Sequence, residues 1–439
     1  MRSRISSVHW GWPLLIVLAG LPIMMWLNML PLGDRLGNSY LSLTSLGRIA
    51  GIAAIVLYCF NLILTTRLQL IESLFGGLNK MFIAHHIVGG LAICLALFHS
   101  LALTLRLTTV SFKDAAKLSL PFTTNWPTTF GVIGLWLFIV LMILTFYIHL
   151  PYRIWLFTHK FLGLAFLFIG LHVIYISGDI TSNRMLKNYL LALIAIAAIC
   201  FVYRTLLPRF FARRYAYRIS NVEQLKSGEV RITMMPQNRR LDFKSGQFIF
   251  VSFRFRGFSH EWHPFSISSN SAGSGLAITV KNLGQYTGSL IKSSSAMVGS
   301  DVWIEGAYGR FSFRNFHSTR QIWVAGGIGI TPFLSMVPDV KPNYLVDLYY
   351  SVKNPNELID YPQIEQWCKA SSGALRVIPV ITDRDGFLTA DKIKQYSGDM
   401  STCDILLCGP PPMMHALRGQ FKQSGVKNHQ IHSEEFSMS

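Results

Sequence analysis

Six apolar runs fill the first half of the chain, at about residues 12–30, 42–66, 81–105, 129–149, 156–177 and 186–207. A helix needs about 20 apolar residues to cross the hydrocarbon core of a bilayer. Backbone in lipid must satisfy its own hydrogen bonds, so each run is expected as a spanning helix. The half that holds them is nearly free of acids: residues 1–212 carry 15 Lys/Arg and 4 Asp/Glu, against 25 and 18 in residues 213–439. Only 14% of the whole chain is charged, where a soluble domain has about 25%. That excludes a disordered chain. The net charge of +18 reads as basic loops beside apolar spans, the signature of a cytoplasmic membrane face, rather than as a nucleic-acid footprint.

Arg2 and Arg4 precede the first run, as in a signal peptide. The run is long for that role and lacks a small-residue cleavage site, so a retained first helix is expected. Six spans put both ends of the unit on one side. Arg67, Lys80, Arg153, Arg204, Arg209, Arg213 and Arg214 then fall there too, which points to the cytoplasm. The six cysteines include no CxxC, so neither a zinc ribbon nor an attached c-type haem is indicated.

Histidines inside these runs carry the chemistry. His85, His86 and His99 lie in the third run, His159 and His172 in the fifth. Ionisable residues in a membrane are costly and default to function, and neutral imidazole is a common haem-iron ligand. His85 and His99 are 14 residues apart, about four turns, with a rotation error of about 40° and a rise of about 21 Å. Two ligands then share one helix face near opposite edges of the bilayer. His86 to His99 misses by about 140°, which favours His85. His159 and His172 are 13 apart, a spacing that needs a bulge, tilt or bend. The two runs point the same way, so His85 is expected to pair with His159 and His99 with His172 around two haems. Arg48, inside the second run, either snorkels to the interface or pairs with a haem propionate. Phe166, midway along the fifth run, is expected to pack rather than to lie between haems.

Residues 215–316 read as short alternating strands, which suggest a small barrel. From residue 320 the pattern becomes strand, loop and helix, a parallel α/β sheet. Gly326, Gly327, Gly329, Thr331 and Pro332 follow an apolar strand, where glycines let the backbone approach a pyrophosphate. After that loop, strand VDLYYSV carries Ser351 near its end with Lys353 just beyond, and no carboxylate lies between Asp347 and Glu357. A hydroxyl and a cation suit the 2′-phosphate of NADPH, where NADH sites place an acid.

The whole chain resembles the bacterial members of the ferric reductase and NADPH oxidase superfamily. The matches run in order: H(x13)H with Gly89 four after His85, H(x12)H, HPFSISS, GGIGITPF and CGPPPMM. The resemblance implies a membrane protein with a six-helix transmembrane di-haem bundle (1–210), an FAD-binding β-barrel (211–317) and a Rossmann-like α/β NADPH domain (318–439). It implies FAD, two haem b and NADPH as cofactors. His263, Pro264, Phe265 and Ser266 would contact the flavin, Phe265 on its ring and Ser266 at its N5. Lys281, Gly284 and Thr287 are candidates for its pyrophosphate. Cys408 and Gly409 would border the nicotinamide, and Phe436 would cover the flavin. Ala307 stands where the family often has proline.

These parts form a wire from cytoplasmic NADPH through FAD and two haems to an acceptor on the opposite side of the cell membrane. No side chain needs to act as acid or nucleophile; the protein supplies position, ligands and dielectric. The acceptor is read as ferric or related metal. Dioxygen, giving superoxide, is the alternative, and a quinone or periplasmic protein a third, because a fold does not determine the last acceptor. A haem-bearing channel or nucleotide sensor without turnover is the reading from another class. The complete FAD and NADPH motifs argue against it.

Overall fold

A computed structural model describes residues 10–120, 125–207, 214–255 and 257–434. The chain divides into two compact units, Met1–Phe211 and Ala212–Ser439.

Among the described residues of the first unit, five helices are long and apolar enough to cross a membrane: Ser39–Leu64, Leu78–Thr108, Trp126–Phe146, Arg153–Tyr175 and Arg184–Thr205. The first expected span is shorter, 17 residues from Gly11 to Leu27. It is apolar on all sides, yet the six-span count holds only if this shorter helix also crosses. Helix Ser39–Leu64 is the most enclosed by its neighbours, while Leu78–Thr108 presents Ile83, Ile87, Leu91, Leu101 and Leu105 outward. Large apolar side chains on an outer face suit a lipid solvent.

The fifth span is not one uninterrupted helix. It breaks at Phe161, between Tyr152–Lys160 and Leu162–Tyr175. There the amide of Phe161 bonds the carbonyl of Thr158 and that of Leu164 bonds Phe161. These three-residue steps wind the chain more tightly than an α-helix. The irregularity lies two residues past His159, where the 13-residue spacing demands a departure from ideal geometry.

The second unit holds two sheets. Strands β1 (Arg214–Gln224), β2 (Val230–Pro236), β3 (Phe248–Arg254), β4 (His263–Ser266), β5 (Leu276–Val280) and β6 (Asp301–Tyr308) pair antiparallel in the order β4-β3-β6-β1-β2-β5. An isolated bridge, Ile267 to Ile278, ties the segment after β4 to β5, so the two sheet edges curl together around Ile219, Ile232, Ile249, Val251 and Ile304.

Strands β7 (Arg320–Gly326), β8 (Leu345–Val352), β9 (Leu375–Ile381), β10 (Asp404–Cys408) and β11 (Ile431–Glu434) form a parallel sheet in the order β11-β10-β7-β8-β9. Its inner strands are apolar almost throughout because helices cover both faces. Trp323, Leu348 and Leu406 enter the core on one face; Ile322, Val324, Ile405 and Leu407 enter the core on the other.

Candidate functional site: two histidine pairs and a nucleotide edge

Helices Leu78–Thr108, Tyr152–Lys160 and Leu162–Tyr175 bring the four histidines together in two pairs. The rings of His85 and His159 have their centres 6.3 Å apart, and those of His99 and His172 lie 6.4 Å apart. His86 is exposed, its ring 5.7 Å from that of His85. The His85 ring is thus the one that faces His159 at this distance.

Each ring has one nitrogen engaged by the protein. Nδ1 of His99 lies 2.7 Å from the Gly47 carbonyl, Nδ1 of His172 2.8 Å from the Pro127 carbonyl, and Nδ1 of His85 3.2 Å from the Asn61 carbonyl. A carbonyl only accepts, so these three rings carry their proton on Nδ1 and leave Nε2 with a free lone pair. His159 places Nδ1 3.4 Å from Thr145 Oγ1, a hydroxyl already donating to the Leu141 carbonyl at 2.7 Å. Thr145 can then only accept from His159, which gives the same tautomer.

The pair separation fits a shared iron. A metal–imidazole bond of about 2.0–2.1 Å, plus about 1.1 Å from nitrogen to ring centre, puts two trans imidazoles about 6.2–6.4 Å apart. Among the described residues, no group of three or more His, Cys, Asp or Glu gathers to hold a bare metal ion. Two facing imidazoles do not complete a protein-only metal site; they would suit a haem, whose macrocycle would supply the other ligands.

Small residues make room for these rings. A Cβ on Gly51 would lie 2.6 Å from His99 Nδ1, and one on Gly131 2.8 Å from His172 Nδ1. Gly89 acts one step further out. Its Cβ would lie 3.0 Å from the side chain of Asn61, the residue whose backbone carbonyl holds His85. Midway between the pairs, buried Phe166 meets Tyr58 edge-on at 5.4 Å, and Tyr58 stacks on Phe138 at 4.7 Å. Arg48 is paired with Asp179 at 2.7 Å.

In the second unit, β4 carries the HPFS segment. Phe265 packs on the barrel core against Phe253, and Ser266 is buried opposite Phe248. His263 stacks on Tyr286 at 3.5 Å and pairs with Glu261 at 3.0 Å. Burial pulls its pKa below the usual imidazole range, against the opposing pull of Glu261. Pro264 sits between them on the strand. Gly284 caps helix Gln285–Lys292, and Thr287 closes that turn by accepting from the Leu283 amide at 2.9 Å. Lys281 is turned to buried Glu229, 3.7 Å away, so its charge is already partly matched within the barrel.

The nucleotide loop folds as a turn, Gly327–Ile330, and a short helix, Thr331–Met336, with Pro332 in its first turn. Strand pairing sets it beside the end of β10. A Cβ on Gly326 would lie 2.6 Å from Met413 Cε, and one on Gly329 would overlap the Cys408 carbonyl. Gly409 completes the contact, 3.0 Å from Gly326 Cα if it bore a Cβ. These glycines are thus needed for loop-on-loop packing before any nucleotide arrives. Ser351, next to last in β8, pairs opposite Gly326 and is buried, while Lys353 is exposed.

Cys408 is fully buried, and burial raises its pKa well above the usual thiol range, so it carries a proton at neutral pH. Its register partner on β11 is Glu434, a residue the motif reading passed over. The Glu434 carboxylate also lies 3.8 Å from a Cβ position on Gly309, which packs on Phe248, the partner of Ser266. A thiol and a carboxylate are thus neighbours in register at the end of the parallel sheet. The sequence signal was the apolar-polar run IHSE before the tail, readable as one more parallel strand. Phe436 lies outside the described residues.

Three family profiles match the chain in series. Residues 50–170 match "Ferric reductase like transmembrane component", residues 214–327 "FAD-binding domain" and residues 323–419 "Oxidoreductase NAD-binding domain". Their order along residues 50–419 is the one expected from the resemblance to the ferric reductase and NADPH oxidase superfamily. Its second unit accordingly has the FAD- and NAD-binding domains of an oxidoreductase. The reductase subunit of glycine betaine monooxygenase from Chromohalobacter salexigens is 25% identical over 207 residues, 44% of this chain and 56% of that protein. The reductase component of propane 2-monooxygenase from Rhodococcus jostii is 24% identical over 238 residues, 50% of this chain. The chain spans 63% of that second relative's length. Ferric reduction oxidase 7, chloroplastic, from Arabidopsis thaliana is 26% identical over 246 residues, 48% of this chain and 30% of that protein. Among solved structures, a ferredoxin NADP+ reductase from Neisseria gonorrhoeae with bound FAD and NADP aligns over 52% of this chain and all of its own. The identity is 20% and the TM-score 0.43, a level that carries no functional argument.

Proposed function

We propose that the protein moves electrons from NADPH across a membrane to a ferric acceptor on the far side, using FAD and two b-type haems. The observation that carries this reading is the pair of facing imidazoles repeated at 6.3 Å and 6.4 Å with every Nδ1 engaged. When bound, the flavin and haems supply the change from two-electron to one-electron transfer. The chain's own residues hold, orient and exclude water.

His85 and His159 present their bare Nε2 atoms at one end of the helical unit, His99 and His172 at the other. Fixed tautomers and tight glycine contacts hold the rings in place before any metal binds. The last helix of the unit starts at Arg184, after the His172 end, and Phe201 packs on Gly163, near His159. Chain connectivity therefore favours His85–His159 as the entry pair and His99–His172 as the exit pair. In the second unit, the Gly326–Pro332 loop holds the nucleotide pyrophosphate, and Cys408, kept as a thiol, shapes the nicotinamide side without bringing a charge. Ser266 offers a hydroxyl at the flavin edge. A cytoplasmic second unit follows from the location of NADPH and from the basic residues near the entry end. The ferric acceptor is favoured by the transmembrane profile and by the name of the Arabidopsis relative.

Haem quantification on the purified full chain tests the reading. Two haems extractable by acid acetone are expected, since no CxxC motif anchors them; one haem or none overturns it. His85→Ala should lose one haem, while His86→Ala should keep both. The reverse pattern would reassign the entry ligand.

Lys353→Glu tests nucleotide choice. Losing one phosphate-directed ion pair should cost about 1–3 kcal/mol, roughly five- to 150-fold in kcat/KM for NADPH, with the NADH constant little changed. Equal losses with both nucleotides would remove Lys353 from the site.

A further inference from the structure

Three guanidiniums gather at the His99–His172 end of the helical unit, and they are not equally matched. Arg35 lies over the Trp26 ring at 3.4 Å and donates to the Trp26 carbonyl at 2.7 Å. Arg48 pairs with Asp179, which also accepts from Trp26 Nε1 at 2.8 Å. Arg106 has no such partner: no Asp or Glu among the described residues lies within ion-pair distance of it.

Arg106 follows His99 by seven residues on the same helix. That is two turns, about 10.5 Å along the axis and within about 20° of the same face. Its Nη1 donates to Thr44 Oγ1 at 3.2 Å, and its guanidinium lies 5.5 Å from the Tyr40 ring centre. Thr44 is three residues before Gly47, whose carbonyl holds His99. Arg106 is thus aimed from two sides beside the exit pair. Its Nε is buried and makes no hydrogen bond. An arginine that merely snorkels keeps its head in water; a buried, unmet guanidinium N–H costs free energy until an acceptor reaches it.

We infer that Arg106, aimed by Thr44 and Tyr40, binds a carboxylate at the His99–His172 end. The inference rests on the di-haem reading above. Guanidinium and carboxylate match in charge and in donor geometry. Two carriers have that chemistry: a propionate of the haem held by His99 and His172, and a carboxylate ligand of a ferric chelate.

The test uses the full-length, haem-loaded protein with Arg106→Gln, Arg106→Lys and Thr44→Val. Each is titrated spectroelectrochemically and assayed with ferric citrate and with menadione, a neutral quinone. For a propionate, Arg106→Gln shifts the potential of one haem to more negative values, because a cation that stabilised the extra electron is gone. The haem that shifts is the one lost in His99→Ala. For a chelate, potentials stay put and the KM for ferric citrate rises roughly tenfold or more, with menadione unaffected. Thr44→Val should show the same sign with a smaller size, and Arg106→Lys should restore part of the effect. Unchanged potentials, haem content and ferric citrate KM in Arg106→Gln overturn the inference while leaving the two-haem reading intact. A wild type with no haem at the exit pair overturns both.

Discussion

His172→Ala is expected to abolish electron delivery to a far-side acceptor while leaving the flavin fully reducible by NADPH. Nδ1 of His172 is held by the Pro127 carbonyl at 2.8 Å, and Gly131 packs on the ring so closely that even a methyl would lie 2.8 Å away. Alanine removes the imidazole that faces His99. One of the two haems should be missing, and ferric reduction should fall to background. His159→Ala should in addition block fast reduction of the haem that remains, because it breaks the chain at its entry. Transmembrane delivery that survives His159→Ala would show that the pairs do not act in series. Haem content and stopped-flow spectra of the two variants, side by side, make the comparison.

Gly329→Val should produce the opposite separation. A Cβ at this position would overlap the carbonyl of Cys408 and lie 2.8 Å from Gly409 Cα. Neither neighbour is a flexible side chain end, so the two loops must move apart. Overpacking of this kind costs about 1–3 kcal/mol, and displacement of a reacting group by about 1 Å can cost on the order of 100-fold in rate. NADPH-driven flavin reduction should therefore fall by roughly that factor or more. Both haems should still bind and still be reduced by dithionite, since the helical unit is untouched. A Gly329→Val protein that keeps its NADPH turnover would mean that this loop contact does not position the nucleotide.

Much of this design is legible along the chain because its signals are local. Apolar runs of membrane length mark the helices. The 14-residue step from His85 to His99 selects one helix face, and His85 is indeed the histidine turned to His159. Alternating strands and continuous strands separate the antiparallel from the parallel sheet, since one buries a single face and the other buries both. The first helix ends at Leu27, a few residues short of the end of its apolar run.

What the chain alone determined, then, is the set of elements and the residue types on each face, because backbone periodicity acts over a few residues. The tertiary structure decided which groups meet. Only packing of separate helices shows that Gly47, Asn61 and Pro127 each offer a carbonyl to a histidine Nδ1. The tight winding at Phe161, which accompanies the 13-residue step, encloses Gly163, but one glycine in an apolar run does not announce a break. Lys281, free to serve a phosphate in the sequence, is drawn to buried Glu229. Glu434 reaches Cys408 only because β11 adds to the sheet beside β10. Arg48 and Arg106 look alike as membrane arginines, yet Asp179 arrives from a distant loop to match one and leaves the other. Contacts between residues far apart in sequence depend on how whole elements pack, and no local period encodes that.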